Sequence, residues 1–289
     1  MVAWETIVRC NAPRNILCGV VPALGLFFFV TVAAAQSTKL KNVDLCNGLD
    51  RSSVEPQIAG CTELITSGLE TKQTLVIAHN NRGNAYTSKG EYDLAIQDYD
   101  QSIKLDPNYA KAFNNRAVAY EKKGDYDRAI KDLEAAISIN PDYADAFANR
   151  GEIYQKKSDY AQALKDFDQA IKYKPTVGAV WNERCWTRAI VGELQSALTD
   201  CNEAIRLEPD AAAAFDSRGF THLKLGQWDA AIADYNSALQ LDPKLASSQY
   251  GRGLARLKKG DLTGGNADVA AAKAMAQQIA DDFTRYGWR

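Results

Sequence analysis

The stretch Ala110–Tyr143 reads AKAFNNRAVAYEKKGDYDRAIKDLEAAISINPDY, and its pattern returns 34 residues to either side. Units begin at Val76, Ala110, Ala144, Gly178, Ala212 and Ala246. A repeat of that length means stacked supersecondary units, each burying its apolar face against its neighbours, and not one closed globule.

Within a unit the apolar spacing gives two amphipathic helices, the first over about fourteen residues and the second slightly longer. In the unit at Ala144, Phe147, Gly151 and Tyr154 share one helical face, and Ala163, Phe167, Ala170 and Ile171 share a second. Counting Ala110 as position 1, Gly90, Gly124, Gly192, Gly226 and Gly260 hold position 15, where a left-handed residue ends the first helix. Ser158 takes that slot in the third unit, at a strain of about 1 kcal/mol if it adopts the same conformation. Asp125, Asp159 and Asp261 follow and can cap the next helix. Pro107, Pro141, Pro175, Pro209 and Pro243 then stop the second helix.

These positions resemble those of the tetratricopeptide repeat (TPR) family. Its pattern has an aromatic at position 4, here Phe113, Phe147, Trp181 and Phe215, and a small residue at position 8, here Gly83, Gly151 and Gly219. Position 17 is Tyr92, Tyr126, Tyr160 and Trp228, and position 20 is Ala95, Ala129, Ala163, Ala197 and Ala231. The resemblance covers 76–276 and implies an all-α, right-handed α-solenoid of six helix-turn-helix repeats: 76–109, 110–143, 144–177, 178–211, 212–245 and 246–276. The last unit departs from the pattern. Gln249 replaces the aromatic, and Gly264-Gly265 is expected to weaken its second helix, as suits a terminal repeat.

Two features recur beyond the family pattern. Position 7 is always arginine: Arg82, Arg116, Arg150, Arg184, Arg218 and Arg252. Position 23 is always aspartate: Asp98, Asp132, Asp166, Asp200, Asp234 and Asp268. Antiparallel helices turning near position 15 bring the two to one level, so a structural ladder of Arg–Asp pairs, within or between units, is expected. An anion-binding stripe is the competing possibility.

Cys185 and Cys201 occupy positions 8 and 24 of one unit, slots held elsewhere by pairs such as Ala117/Leu133 and Gly151/Phe167. Facing positions on packed helices favour a disulfide in an oxidising compartment. Cys46 and Cys61 have nearly the same spacing, so 36–75 is expected to be a degenerate capping hairpin with its own bridge. Each closed loop contributes about 3 kcal/mol by chain entropy. With no Cys-x-x-Cys in the chain, a four-cysteine zinc site has little support.

Arg9 and Arg14 flank an apolar run, Ile16 to Val32, followed by Ala33-Ala34-Ala35. This is the form of a secretory signal peptide, 1–35, cleaved after Ala35. It directs the chain to a periplasm or outside the cell. The alternative is an uncleaved membrane anchor, because the run is close to the lower length for spanning. Cys18 precedes most of that run, which disfavours lipid attachment there.

At the other end, Met275, Ile279, Phe283 and Tyr286 keep helical spacing, so 277–289 is expected to supply a capping helix over the last unit.

The 289 residues are 46% hydrophobic and 24% charged, proportions of a folded domain, and the net charge of −2 provides no basic field for nucleic acid. His79 and His222 fall at interior positions 4 and 11, where a packed ring is expected rather than a general base. There is no phosphate loop, metal motif or Ser-His-Asp spacing, so neither catalytic residue, metal nor cofactor is expected.

The resemblance implies instead a non-enzymatic adaptor that binds a peptide or partner protein in a concave groove lined by positions 2, 5, 6, 9 and 12. Asn81, Asn115 and Asn149 hold position 6 in three successive units, with Asn80, Asn114 and Asn84 adjacent. Amides both donate and accept, so such a series can hold an extended backbone whatever its side chains. In the last three units Trp186, Phe220, Tyr250 and Leu254 replace them, as interface anchors or as packing between repeats. The carboxylate-clamp arrangement of the family is incomplete: Asn84 and Asn115 fit it, whereas Asn80, Asp145 and Asn149 stand where basic residues are needed. A self-associating envelope assembly factor is the alternative role.

Overall fold

The computed structural model describes residues 38–49 and 53–288. The leader expected at 1–35, with Arg9, Arg14 and Cys18, lies outside the described residues. Fifteen helices and no strand are found among the described residues. A first hairpin comprises α1 (38–46) and α2 (Glu55–Thr66). Six pairs follow: α3 (Lys72–Ser88) with α4 (Tyr92–Leu105), α5 (Ala110–Lys122) with α6 (Tyr126–Ile139), and α7 (Ala144–Lys156) with α8 (Tyr160–Tyr173). Next come α9 (Gly178–Val191) with α10 (Leu194–Leu207), α11 (Ala212–Lys224) with α12 (Trp228–Leu241), and α13 (Ala246–Lys258) with α14 (Leu262–Met275). A short α15 (Ile279–Arg285) ends the fold, and no described helix is long and apolar enough to cross a membrane.

The chain is an all-α solenoid because each local signal acts where it stands. Gly124 ends its helix in the left-handed region at φ +77°, and Ser158 adopts the same conformation at +61°. The side chains of Asp125, Asp159 and Asp261 accept the N–H groups of Arg128, Gln162 and Gly264, capping α6, α8 and α14. Each proline of the register lies two residues past the end of a second helix. Positions 8 and 24 meet: a Cβ on Gly151 would sit 2.7 Å from the Phe167 ring. In the unit at Gly178 that contact is covalent, with Cys185 bonded to Cys201 at a Cα separation of 5.3 Å. Cys46 and Cys61 are likewise bonded, tying α1 to α2, and pack with Leu64 onto Ala78 of α3.

Three details differ from expectation. α3 starts at Lys72, ahead of Val76, because the Thr71 hydroxyl accepts the Thr74 N–H at 3.1 Å and caps an earlier start. α14 runs its full fourteen residues despite Gly264-Gly265. A Cβ on Gly265 would sit 2.9 Å from the Gly253 carbonyl oxygen, so α13 and α14 approach backbone to backbone, and that packing outweighs poor propensity. Finally, Met275 does not share a helix with Ile279. It ends α14 and is exposed, Ala276 is extended at φ −144°, and the chain turns before α15.

Candidate partner-binding groove

The first helices α3, α5, α7, α9, α11 and α13 each contact the next, so their free faces join into one inner surface. The Arg–Asp ladder holds them in register. Every arginine donates through Nε and Nη2 to both oxygens of the aspartate sixteen residues on, at 2.6–2.9 Å. These fork-to-fork pairs lie within units. The third nitrogen reaches back to the preceding helix pair: Arg82 to Thr62, Arg116 to Asp100, Arg184 to Asp168, Arg218 to Asn202 and Arg252 to Asn236. Five of the six guanidinium groups thus tie two hairpins together, Arg150 bonding Asp166 within its own unit, and all six already have carboxylate acceptors. Burial alone would raise the Asp98 pKa; hydrogen bonds from Arg82 and His79 outweigh it and hold the carboxyl below its usual value. His79 is therefore a partner of the ladder, with Nδ1 2.8 Å from Asp98, not merely a packed ring. His222 bonds Gln227 at 2.6 Å and lies 3.6 Å from Asp234.

The amides of the first three units form a continuous chain. Asn149 Nδ2 donates to Asn114 (2.9 Å), Asn114 to Asn115 (3.2 Å) and Asn115 to Asn80 (3.0 Å). Asn80 then donates to Asn81 and Asn81 to Asn47, both at 3.3 Å. Asn80 and Asn114 are buried links, 3% and 6% exposed, which corrects their placement as open lining. Asn81, Asn115 and Asn149 are half-buried; one bond given and at most one received leaves each amide a further N–H. Asn84 is engaged, accepting the Tyr99 hydroxyl at 2.8 Å.

Midway along, a cavity of about 410 Å³ opens between α7, α9, α11, α13 and α15, and its polar wall includes Asn182, Glu183, Asp216 and Asp282. Burial raises the Asp216 pKa to about 6, the Ser248 and Ser247 hydroxyls offsetting only part of the effect. Burial and the nearby Glu152 raise Glu183, and burial raises Glu152 itself. Asn182 Oδ1 is buried without a hydrogen-bond partner among the described residues.

The aromatic end of the groove is filled from within. Phe283 stacks edge-on against Phe220 (5.5 Å) and Tyr250 (4.8 Å), and Tyr286 against Trp186 (4.9 Å). Trp186, Phe220, Tyr250 and Leu254 thus join one apolar cluster with Ile279 and Phe283 of α15. Phe220 is 1% exposed. This corrects the expectation of open anchors: covering these rings removes more apolar surface from water than leaving the short tail free.

Family models confirm what the register shows. The one described as tetratricopeptide repeat matches residues 110–143 and 144–177, and the one described as TPR repeat matches 83–124 and 221–260.

The chain belongs to the tetratricopeptide repeat family.

Solved TPR structures superpose on it. A tetratricopeptide repeat protein from Parabacteroides merdae does so with a TM-score of 0.64 at 17% identity, over 87% of this chain and 99% of that one. PilW, a widely conserved type IV pilus biogenesis factor, gives 0.64 at 20% identity, over 71% and 98%. YrrB, a TPR protein with an unusual peptide-binding site, gives 0.52 at 18% identity, over 65% and 97%. At such identities the likeness establishes the fold. No curated protein matches the sequence.

Within this TPR groove the sequence reading missed the acidic middle. Its signal was present: positions 9, 6 and 5 of three successive units carry Glu152, Glu183 and Asp216. It missed Lys224 as well, whose Nζ donates to the carbonyls of Ala189, Ile190 and Tyr286 and so fastens the tail to the end of α9.

Proposed function

We propose that this TPR protein is a non-catalytic adaptor of the cell envelope that binds a segment of a partner protein along its concave face. The observation that carries this is the unfilled, half-buried polar lining from Asn81 to Glu183. It combines amides with a spare N–H and carboxylates that form no ion pair among the described residues, in a groove wide enough to hold a cavity of about 410 Å³. Interaction scaffolding is the usual work of the TPR fold, and one similar structure is that of a protein with a peptide-binding site. Two disulfides support residence in an oxidising compartment, in keeping with the signal peptide expected at 1–35.

The test is photo-crosslinking in the source cell, with the reactive residue placed at Asn115 or Glu152 and, as control, at exposed Gln101 of α4. One defined segment of one protein captured from the two groove positions, and absent from the control, supports the proposal. Identical products from all three positions, or capture only of further copies of this chain, count against it.

A further inference from the structure

α15 sits in the groove in the manner of a bound peptide. It presents Ile279, Phe283 and Tyr286 at i, i+4 and i+7 to the aromatic floor, and Trp288 follows edge-on to Trp228 at 6.2 Å. A side-chain hydrogen bond to its backbone completes the seat, Lys224 Nζ donating to the Tyr286 carbonyl at 3.1 Å.

One side chain of α15 has the wrong sign for its surroundings. Asp282, at i+3, lines the same cavity as Glu183 and Asp216, and its ion pair is with Arg285 of its own helix. Asp216 is satisfied by two serine hydroxyls and Glu183 by Gln155, neither forms an ion pair among the described residues, and the buried Asn182 oxygen beside them has no donor. An ammonium or guanidinium group reaching that cavity meets three acceptors that Asp282 leaves without a cation. A free seven-residue helix is also unstable in water. α15 stays seated because its three-residue link to α14 gives it an effective concentration in the millimolar range.

We propose that units four to six form a docking site for an amphipathic helix of a partner protein, carrying apolar residues at i, i+4 and i+7 and a lysine or arginine at i+3, and that α15 is a tethered stand-in which this helix displaces. The proposal rests on the adaptor reading and names the chemistry of its partner. The seat of α15 defines the apolar spacing, and charge complementarity with the cavity defines the basic residue.

The test uses the full chain and two labelled peptides spanning residues 277–288, one of native sequence and one with Asp282→Lys. Fluorescence anisotropy is expected to show the lysine peptide binding about tenfold tighter or more, as befits hydrogen bonds to a charged group. That advantage shrinks in the chain carrying Glu183→Gln and Asp216→Asn. Both peptides bind more tightly to the chain carrying Phe283→Ala and Tyr286→Ala, in which α15 no longer competes; unchanged far-ultraviolet circular dichroism verifies that its repeats remain folded. Equal affinities for the two peptides overturn the basic requirement. Affinity unchanged by the α15 substitutions, or no binding of either peptide to that folded variant, overturns the displacement. In those cases capture of a partner through Asn115 would leave the adaptor reading standing, so the two failures are distinguishable.

Discussion

The Phe283 ring meets the Tyr250 ring at 4.8 Å, placing the last helix of the chain on the lining of its own groove. Truncating a buried phenylalanine costs about 3–5 kcal/mol, more than a seven-residue terminal helix can lose and stay docked. Phe283→Ala is therefore expected to release α15 alone. Amides of 279–287 lose hydrogen-exchange protection while those of α5 to α8 keep theirs, a local rather than global opening.

Arg150 and Asp166 are not equivalent partners, although they share two hydrogen bonds of 2.8 Å. The aspartate side chain is 6% exposed and the arginine side chain 19%. Arg150→Ala strands a buried carboxylate and is expected to cost about 3–5 kcal/mol. Asp166→Ala leaves a cation that can turn to water, and costs about half as much. Urea denaturation of the two variants checks the order.

The Cys185–Cys201 bond occupies a slot that other units fill by packing. Replacing it with the pair of the central unit, Cys185→Ala with Cys201→Leu, removes a cross-link worth about 3 kcal/mol but fills the cavity as Ala117 and Leu133 do. Simple reduction leaves two thiols and no added volume. Denaturant midpoints are expected to rank oxidised wild type first, the Ala/Leu variant second and reduced wild type last.

The scaffold was legible because one-dimensional signals repeat. Gly124, Asp125 and Pro141 act locally, and Arg116 with Asp132 share a level by helix geometry alone. The groove was less legible, because its contents depend on which side chains meet across units. Asn114 and Asn115 are neighbours in sequence, yet one is a buried link and the other is half-buried, a distinction set by how α5 is rotated against its neighbours. Nothing in the spacing of Ile279, Phe283 and Tyr286 says that they pack into the concave face instead of over the end of the last unit. That choice depends on Trp186 and Phe220, about 60 to 100 residues earlier in the chain.

Asp216 gives the fold a pH signature. Its folded pKa, about 6, lies above the 3.8 usual for an aspartate, so the folded chain holds the proton more tightly than the unfolded one. The associated stability is fully present below the unfolded value and is lost as pH rises through the folded one. Asp216→Asn is therefore expected to stabilise the protein by about 2–3 kcal/mol at pH 7.5 and to change little at pH 3.5. Thermal melts at the two pH values check both limbs.

The most direct test of the self-occupied groove is hydrogen exchange on residues 279–288 of the intact chain, without and with the lysine-substituted peptide. Slow exchange at α15 is expected in the free chain and faster exchange once the peptide is bound, with the core amides of α5 to α8 unaffected. Fast exchange at α15 in the free chain would contradict it, because the aromatic half of the groove would then stand open.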